Sequence, residues 1–367
     1  MYPRRLCWLK EKHVSFRDSP HERLVEIAAF GSNPGALKAW LFLPTHMDTR
    51  TPLVVALHGC TQTAKGYAQG SGWTQLAERR GFAVLYPEQQ HSNNPNLCFN
   101  WFEPGDARRG AGEAASISQM VAHVVQSQGI DPNRVFVTGL SAGGAMANAM
   151  LSTYPEMFAG GAIIAGLPYG AAANVAEAFA QMQGRNPSSA AKLRSALKRA
   201  GHHTGPWPTV SVWHGTHDQT VRPRNADQIV DQWSGVHATR KEPDRTEVAN
   251  GHQHKVWHDA DGRMVIETYS IKGMAHGLPL ATQGGSAFGR PGPYMLEAGI
   301  SSTARIARSW GLASDSDVEA TEFAAAEGSG ARKLAGARER RSPQPEPGDS
   351  RVGKIINDAL RAAGLLR

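Results

Sequence analysis

Cysteine is scarce: the 367 residues hold three, Cys7, Cys60 and Cys98. A disulfide-built fold is dense in cysteine, so this chain must rest on a hydrophobic core with at most one bridge. Long apolar runs are missing too. No stretch approaches the roughly 18 consecutive apolar residues of a membrane span, which argues against a membrane-spanning protein. The opening MYPRRLCWLKEKH begins with basic residues, but Lys10, Glu11 and Lys12 arrive before any apolar stretch of useful length. It therefore lacks the h-region of a secretory signal. Either the protein stays in the cytoplasm, or its true start or export signal lies outside this sequence. A strong charge bias is absent as well: 39 Lys and Arg face 32 Asp and Glu, and part of the +7 excess sits between Arg332 and Arg341. Without an aromatic-interleaved basic stripe this reads as a solvated surface, and no nucleic-acid partner is expected.

What is present belongs to a globular protein: 41% hydrophobic and 7% aromatic residues, in a chain long enough for one large domain or two small ones. From Ala36 onward, short apolar runs alternate with longer amphipathic ones, the rhythm of a mostly parallel sheet wrapped by helices. Strands are predicted at Ala39 to Leu43, Leu53 to Leu57, Phe82 to Tyr86, Val135 to Thr138, Ala162 to Ala165, Thr209 to Trp213 and Met264 to Ile271. Asp131-Pro132 reads as a turn before the fourth of these. Val256 to Ile271 reads as a hairpin around Asp-Ala-Asp-Gly. Helices are predicted at Gly72 to Arg80, Ala114 to Gln128 and Gly143 to Tyr154. The excursion 168–208, with helical patterns at Val175 to Met182 and Ala190 to Ala200, reads as a small helical lid. These features divide the chain into an N-terminal extension (1–35), a catalytic domain (36–312), a disordered linker (313–350) and an amphipathic helix (351–367). The linker rests on composition.

The chemistry concentrates in a few segments. Gly139-Leu140-Ser141-Ala142-Gly143 fits Gly-x-Ser-x-Gly between a buried strand and a small-residue helix. On such a turn the serine is exposed as a nucleophile, glycines keep side chains away, and the helix N-terminus favours developing negative charge. The strand Val54 to Leu57 runs into His58-Gly59-Cys60. The loop after that strand and the residue after the nucleophile supply oxyanion donors in this arrangement, here the N–H groups of Cys60 and Ala142. His58 precedes the serine and so breaks the Ser…Asp…His order, which makes it a structural histidine. Asp218 follows a buried strand, whereas its rivals Asp227 and Asp231 sit on a helical pattern. His276 follows the last strand, so Ser141, Asp218 and His276 are the expected nucleophile, acid and base. His214 and His217 flank the acid and would shape its loop. His252, His254 and His258 match no common zinc spacing, so neither a metal nor a cofactor is expected.

Taken in order, His58-Gly-Cys-Thr-Gln62, Cys98-Phe-Asn-Trp-Phe102, Gly139-Leu-Ser-Ala-Gly143, Trp213-His-Gly-Thr-His-Asp218 and Gly273-Met-Ala-His276-Gly resemble the poly(3-hydroxybutyrate) depolymerase family of esterases. Feruloyl and acetyl xylan esterases belong to the same family. The resemblance spans about Leu37 to Trp310. It implies the α/β-hydrolase fold, hydrolysis of a carboxylic ester through an acyl-enzyme without a cofactor, and secretion. It also implies a Cys60–Cys98 disulfide, with two buried thiols as the alternative in a reducing cell. Trp101, Phe102, Gln62 and Trp213 are the candidate substrate-binding residues. The tail departs from that of secreted polymer depolymerases, which often carry a separate polymer-binding domain. The expected substrate is poly(3-hydroxybutyrate) or its oligomers, with small plant-derived esters as one alternative and a catalytically silent granule- or surface-binding protein as another. The expected partner is the ester substrate; the oligomeric state is open.

Overall fold

The computed structural model describes residues 20–321, except 186, 202 and 284–286. Its strands are β1 (Val25–Glu26), β2 (Lys38–Phe42), β3 (Thr51–Leu57), β4 (Ala83–Glu88), β5 (Ile130–Leu140), β6 (Gly160–Ile164), β7 (Thr209–Gly215), β8 (Arg245–Ala249), β9 (His252–His258) and β10 (Met264–Ile271). They form one ten-stranded sheet in the order β1-β2-β4-β3-β5-β6-β7-β10-β9-β8. From β4 through β10 every pairing is parallel, while β1, β2, β8 and β9 run antiparallel at the two edges. Strands β11 (Leu278–Leu280) and β12 (Met295–Glu297) pair separately in a small parallel sheet.

The helices are α1 (Ala64–Ser71), α2 (Trp73–Arg80), α3 (Gly112–Gln128), α4 (Ala142–Thr153), α5 (Val175–Met182), α6 (Ala190–Gly201), α7 (Arg224–His237) and α8 (Ser302–Ser309). Both sheet faces are covered, which is why the central strands read as continuous apolar runs. On β3, Leu53, Val55 and Leu57 join the cluster containing Ile117, Met146 and Trp233, so this face carries α3, α4 and α7. Val54 and Ala56 point the other way, into the cluster of Tyr67, Trp73 and Ile306 on α1, α2 and α8. There Trp310 stacks on Phe136 at 4.7 Å and on Trp73 at 5.8 Å, tying the segment after α8 to the sheet.

Several boundaries differ from expectation. Residues before 36 belong to the domain: β1 extends the sheet, and Arg23 pairs with Glu78 on α2 at 2.5 Å. Residues 313–321 also belong to it, although their composition reads as linker. Asp317 pairs with Arg80 at 2.5 Å and accepts the Ser314 N–H, while Val318 and Thr321 are buried. The rest of the expected linker, the C-terminal helix and residues 1–19 lie outside the described residues. Strand β5 starts at Ile130, so Asp131-Pro132 lies within it, where the register against β3 shifts. The hairpin is formed by β9 and β10, and β8 adds an edge strand whose mostly exposed residues carry no apolar signal.

The excursion 168–208, expected as a lid, packs in part into the fold. Leu193 and Leu197 of α6 are wholly buried, and Gln232 of α7 donates to the carbonyls of Leu193 and Tyr169. This packing makes α6 part of the helical layer beside α4 and α7. Helix α5 sits nearer the loop after β7: the Met182 carbonyl accepts the Arg222 N–H at 2.8 Å, and Gln181 bonds Asn225 at 2.8 Å.

Candidate active site

The site is assembled at the carboxyl ends of β3, β5 and β7 and in the loop after β10. Ser141 lies between β5 and α4 with φ 59° and ψ −118°, a conformation that L-residues rarely adopt. Its N–H donates to the Ile164 carbonyl at 2.9 Å, which fixes the turn against β6. The glycines around it are steric requirements. A Cβ on Gly139 would collide with the Gly143 carbonyl, and one on Gly143 with the carbonyls of Leu57 and His58. The turn is therefore wedged against the end of β3.

His276 Nε2 lies 2.9 Å from Ser141 Oγ, and its Nδ1 lies 2.7 Å from Asp218 Oδ2. The loops carrying Asp218 and His276 are joined by backbone bonds from Thr216 N–H to the Ile271 carbonyl (3.0 Å) and from His217 N–H to the Met274 carbonyl (3.0 Å). Gly215 permits this approach, since a Cβ there would stand 2.6 Å from the Ala275 carbonyl. Asp218 is wholly buried, and its other oxygen accepts the N–H groups of Thr220 (2.9 Å) and Val221 (2.8 Å). Burial works against its charge, but hydrogen bonds and charge from His214 and His276 outweigh burial and hold the carboxyl well below its ordinary range. His214 Nε2 donates to the Val221 carbonyl at 2.8 Å and stands 3.4 Å from Asp218 Oδ2, in contact with the Asp218–Val221 turn. Asp227 and Asp231 lie on α7, as their helical spacing predicts.

The loop after β3 is fixed atom by atom. His58 is buried; its Nε2 accepts the Gln89 N–H at 3.1 Å, and its Nδ1 donates to the Gly59 carbonyl at 2.8 Å. Burial lowers its pKa, which fits the neutral tautomer these bonds require and a structural role. Gly59 N–H donates to Gln62 Oε1 (2.8 Å) and Thr61 N–H to the Asn96 carbonyl (2.7 Å), so the Cys60 amide between them takes part in neither bond. The Ala142 amide opens α4, where a helix supplies no internal acceptor. The Cys60 and Cys98 sulfurs are bonded at 2.07 Å, linking the loop to the Cys98–Phe102 segment. Beneath that segment Glu113 accepts the Asn100 N–H at 2.9 Å and the Gln89 side-chain amide at 2.5 Å. Burial first, then the nearby Asp106 charge, push its carboxyl up to about 8.

The four candidate substrate-binding residues separate. Trp213 is a correction: it is wholly buried, stacks on Tyr269 at 3.8 Å and donates to Ser211 Oγ, so no substrate can reach it. Both faces of β7 are covered, and Trp213 packs into the cluster shared with α1, α2 and α8. Trp101 is 8% exposed and packs edge-on against the half-buried Phe102, within the cluster that includes Ala142. Gln62 both holds Gly59 and lines a cavity of about 460 Å³, together with Tyr294 and Arg290. Tyr294 stands edge-on to the His276 ring with centroids 6.0 Å apart. Neither Glu113 nor the Arg290–Tyr294 loop was foreseen, and no motif marks them. His252, His254 and His258 are engaged separately: with Ala298 and Lys272 backbone, with Glu247 and Glu267, and with Asp244.

An imidazole oriented by a buried carboxylate and facing a hydroxyl on a strained strand-to-helix turn can take that hydroxyl's proton as it attacks a carbonyl. With the doubly covered sheet, this defines an α/β-hydrolase-type esterase. The sequence matches the family described as Esterase PHB depolymerase over residues 37–240. It is 45% identical over 293 residues to poly(3-hydroxyalkanoate) depolymerase C of Paucimonas lemoignei, covering 79% of this chain and 70% of that one. An acetylxylan esterase of Coprinopsis cinerea is 32% identical over 267 residues, covering 71% of this chain and 70% of its own. The solved acetyl xylan esterase of Aspergillus awamori superposes with a TM-score of 0.67 at 25% identity, over 79% of this chain and 99% of that one. The chain belongs to the PHB depolymerase family of esterases and is a carboxylic ester hydrolase. Among the described residues, no helix is long and apolar enough to cross a membrane.

Proposed function

We propose that this chain is a serine esterase that cleaves poly(3-hydroxybutyrate)-type esters or their oligomers, with Ser141, His276 and Asp218 as its triad. The observation that carries the mechanism is the pair of contacts made by His276, 2.9 Å to Ser141 Oγ and 2.7 Å to Asp218 Oδ2. His276 takes the Ser141 proton as Oγ bonds to the ester carbon, and the carbonyl oxygen, now negative, is held by the Cys60 and Ala142 amides. Collapse breaks the bond to the alcohol oxygen, which leaves with the proton from His276. Water then repeats the sequence on the acyl-enzyme and releases the acid. Asp218 keeps its charge throughout and fixes the imidazole tautomer.

The similarity to the Paucimonas lemoignei depolymerase supports the hydroxyalkanoate substrate. The likeness to two acetyl xylan esterases supports a second reading, acetyl or phenolic plant esters. The Cys60–Cys98 bond supports work in an oxidising compartment outside the cytoplasm. The test is acid release from amorphous poly(3-hydroxybutyrate), 3-hydroxybutyrate oligomers, acetylated xylan and methyl ferulate, in parallel with Ser141→Ala. Release from hydroxybutyrate substrates, lost in the variant, is expected. Release from xylan or ferulate alone overturns the polyester reading, and no release with no fluorophosphonate labelling of Ser141 points to the catalytically silent alternative.

A further inference from the structure

The cavity beside the triad is built from two of the elements that hold it. One wall is Thr61 and Gln62, which follow Cys60 directly; the other is Arg290, Pro293 and Tyr294 from the segment between β11 and β12. Its volume of about 460 Å³ is that of a small-molecule site, and it opens to solvent. The second wall is clamped at both ends. Arg290 N–H donates to the Gly70 carbonyl at 3.0 Å, and Gly289 N–H to Gln75 Oε1 at 2.7 Å. Beside the base, the Tyr294 carbonyl accepts the Leu278 N–H at 2.7 Å, while Tyr294 itself is held at φ 61°. The rim carries amide and hydroxyl side chains, Thr61, Gln62, Thr63 and Gln69, but one cation, Arg290, which is exposed and makes no ion pair among the described residues.

The chemistry of the substrate gives such a cation a use. In a linear hydroxyacid oligomer, the fragment that leaves as the alcohol is also the one that ends in a free carboxylate. The leaving oxygen must face His276 Nε2 to be protonated, and Tyr294 of the cavity wall packs on that imidazole. We propose that this cavity is the subsite for the leaving fragment of a hydroxyacid oligomer, and that Arg290 recognises its terminal carboxylate. Bidentate pairing of a guanidinium with a carboxylate is a strong and geometrically selective contact. The rim amides and hydroxyls would meet the ester carbonyls of the intervening unit. This rests on the hydroxyalkanoate reading above, and it makes the enzyme one that favours short, free-acid chains and the carboxyl ends of longer ones.

The test compares kcat/KM for the 3-hydroxybutyrate trimer as free acid and as its methyl ester, in the wild type, Arg290→Gln and Arg290→Lys. The wild type should prefer the free acid. In Arg290→Gln that preference should fall by about tenfold or more, as expected for losing a hydrogen bond to a charged group, mainly through a higher KM. Arg290→Lys should restore part of it, because charge survives and the fork geometry does not. An unchanged acid-to-ester ratio in Arg290→Gln overturns the subsite alone, whether both rates fall together or neither moves. A wild type that cleaves neither trimer overturns the hydroxyalkanoate reading and the subsite with it.

Discussion

Gly143, two residues past Ser141, lies directly against the carbonyl of His58 at the end of β3. The first turn of α4 and the start of the proposed oxyanion loop are thus in backbone contact, with no room for a methyl group. Replacing Gly143 with Ala should push these two elements apart. Overpacking of this kind costs about 1–3 kcal/mol, and turnover should fall further than stability because the Cys60 and Ala142 amides would no longer converge. Thermal melting and kcat on p-nitrophenyl acetate check this; a variant with both at wild-type level refutes the contact.

Asp218→Asn separates charge and tautomer from scaffold. The amide oxygen can still accept the Thr220 and Val221 N–H groups, so the loop should hold. The amide nitrogen cannot accept from His276 Nδ1, and the imidazole would turn to the wrong tautomer. In triad enzymes this change costs about 10⁴ in kcat. The variant should melt near the wild type while losing turnover on that scale, and a loss below tenfold would remove Asp218 from the proposed triad.

Much of this arrangement is legible in the sequence because it is local. A buried strand, Gly-x-Ser-x-Gly and a small-residue helix occupy adjacent positions, and Asp218 and His276 each follow a strand whose apolar run is evident. Asp227 and Asp231 could be set aside because helical spacing was visible around them. What escaped depends on tertiary packing. Trp213 stands next to the acid motif, yet both faces of β7 are covered and it packs onto Tyr269. Residues 313–321 look like linker until Arg80, distant in sequence, meets Asp317. Arg290 and Tyr294 sit in a stretch with no strand or helix pattern, and only the fold carries it back to His276.

The Cys60–Cys98 bond joins residues 38 apart and ties the proposed oxyanion loop to the Phe99–Phe102 segment. Losing a native disulfide typically costs about 2–5 kcal/mol, so Cys98→Ser should melt at a lower temperature. Its kinetic signature should be specific: oxyanion contacts form in the transition state, so kcat should fall more than KM rises. Assays with and without dithiothreitol on the wild type should reproduce the pattern, and unaltered kcat in the variant would show that the loop holds its shape without the bond.

Glu113 gives the fold a pH dependence that can be isolated. Burial, with the Asp106 charge adding to it, raises its carboxyl from the ordinary 4.5 to about 8. The folded state therefore keeps a proton that the unfolded chain releases, and stability must fall as pH rises between these values. The contribution is fully present below 4.5 and is lost as pH climbs through about 8. Glu113→Gln removes the titration while keeping an oxygen that can accept the Asn100 N–H. Melting temperatures from pH 4 to 9 should thus show the wild type losing ground to the variant across this window. Because Glu113 also holds Gln89, whose N–H fixes His58, the catalytic rate of the wild type should fall relative to the variant's only as pH passes about 8, where the folded state gives up the proton. Parallel melting curves for the two proteins would mean that Glu113 titrates in the fold as it does in water.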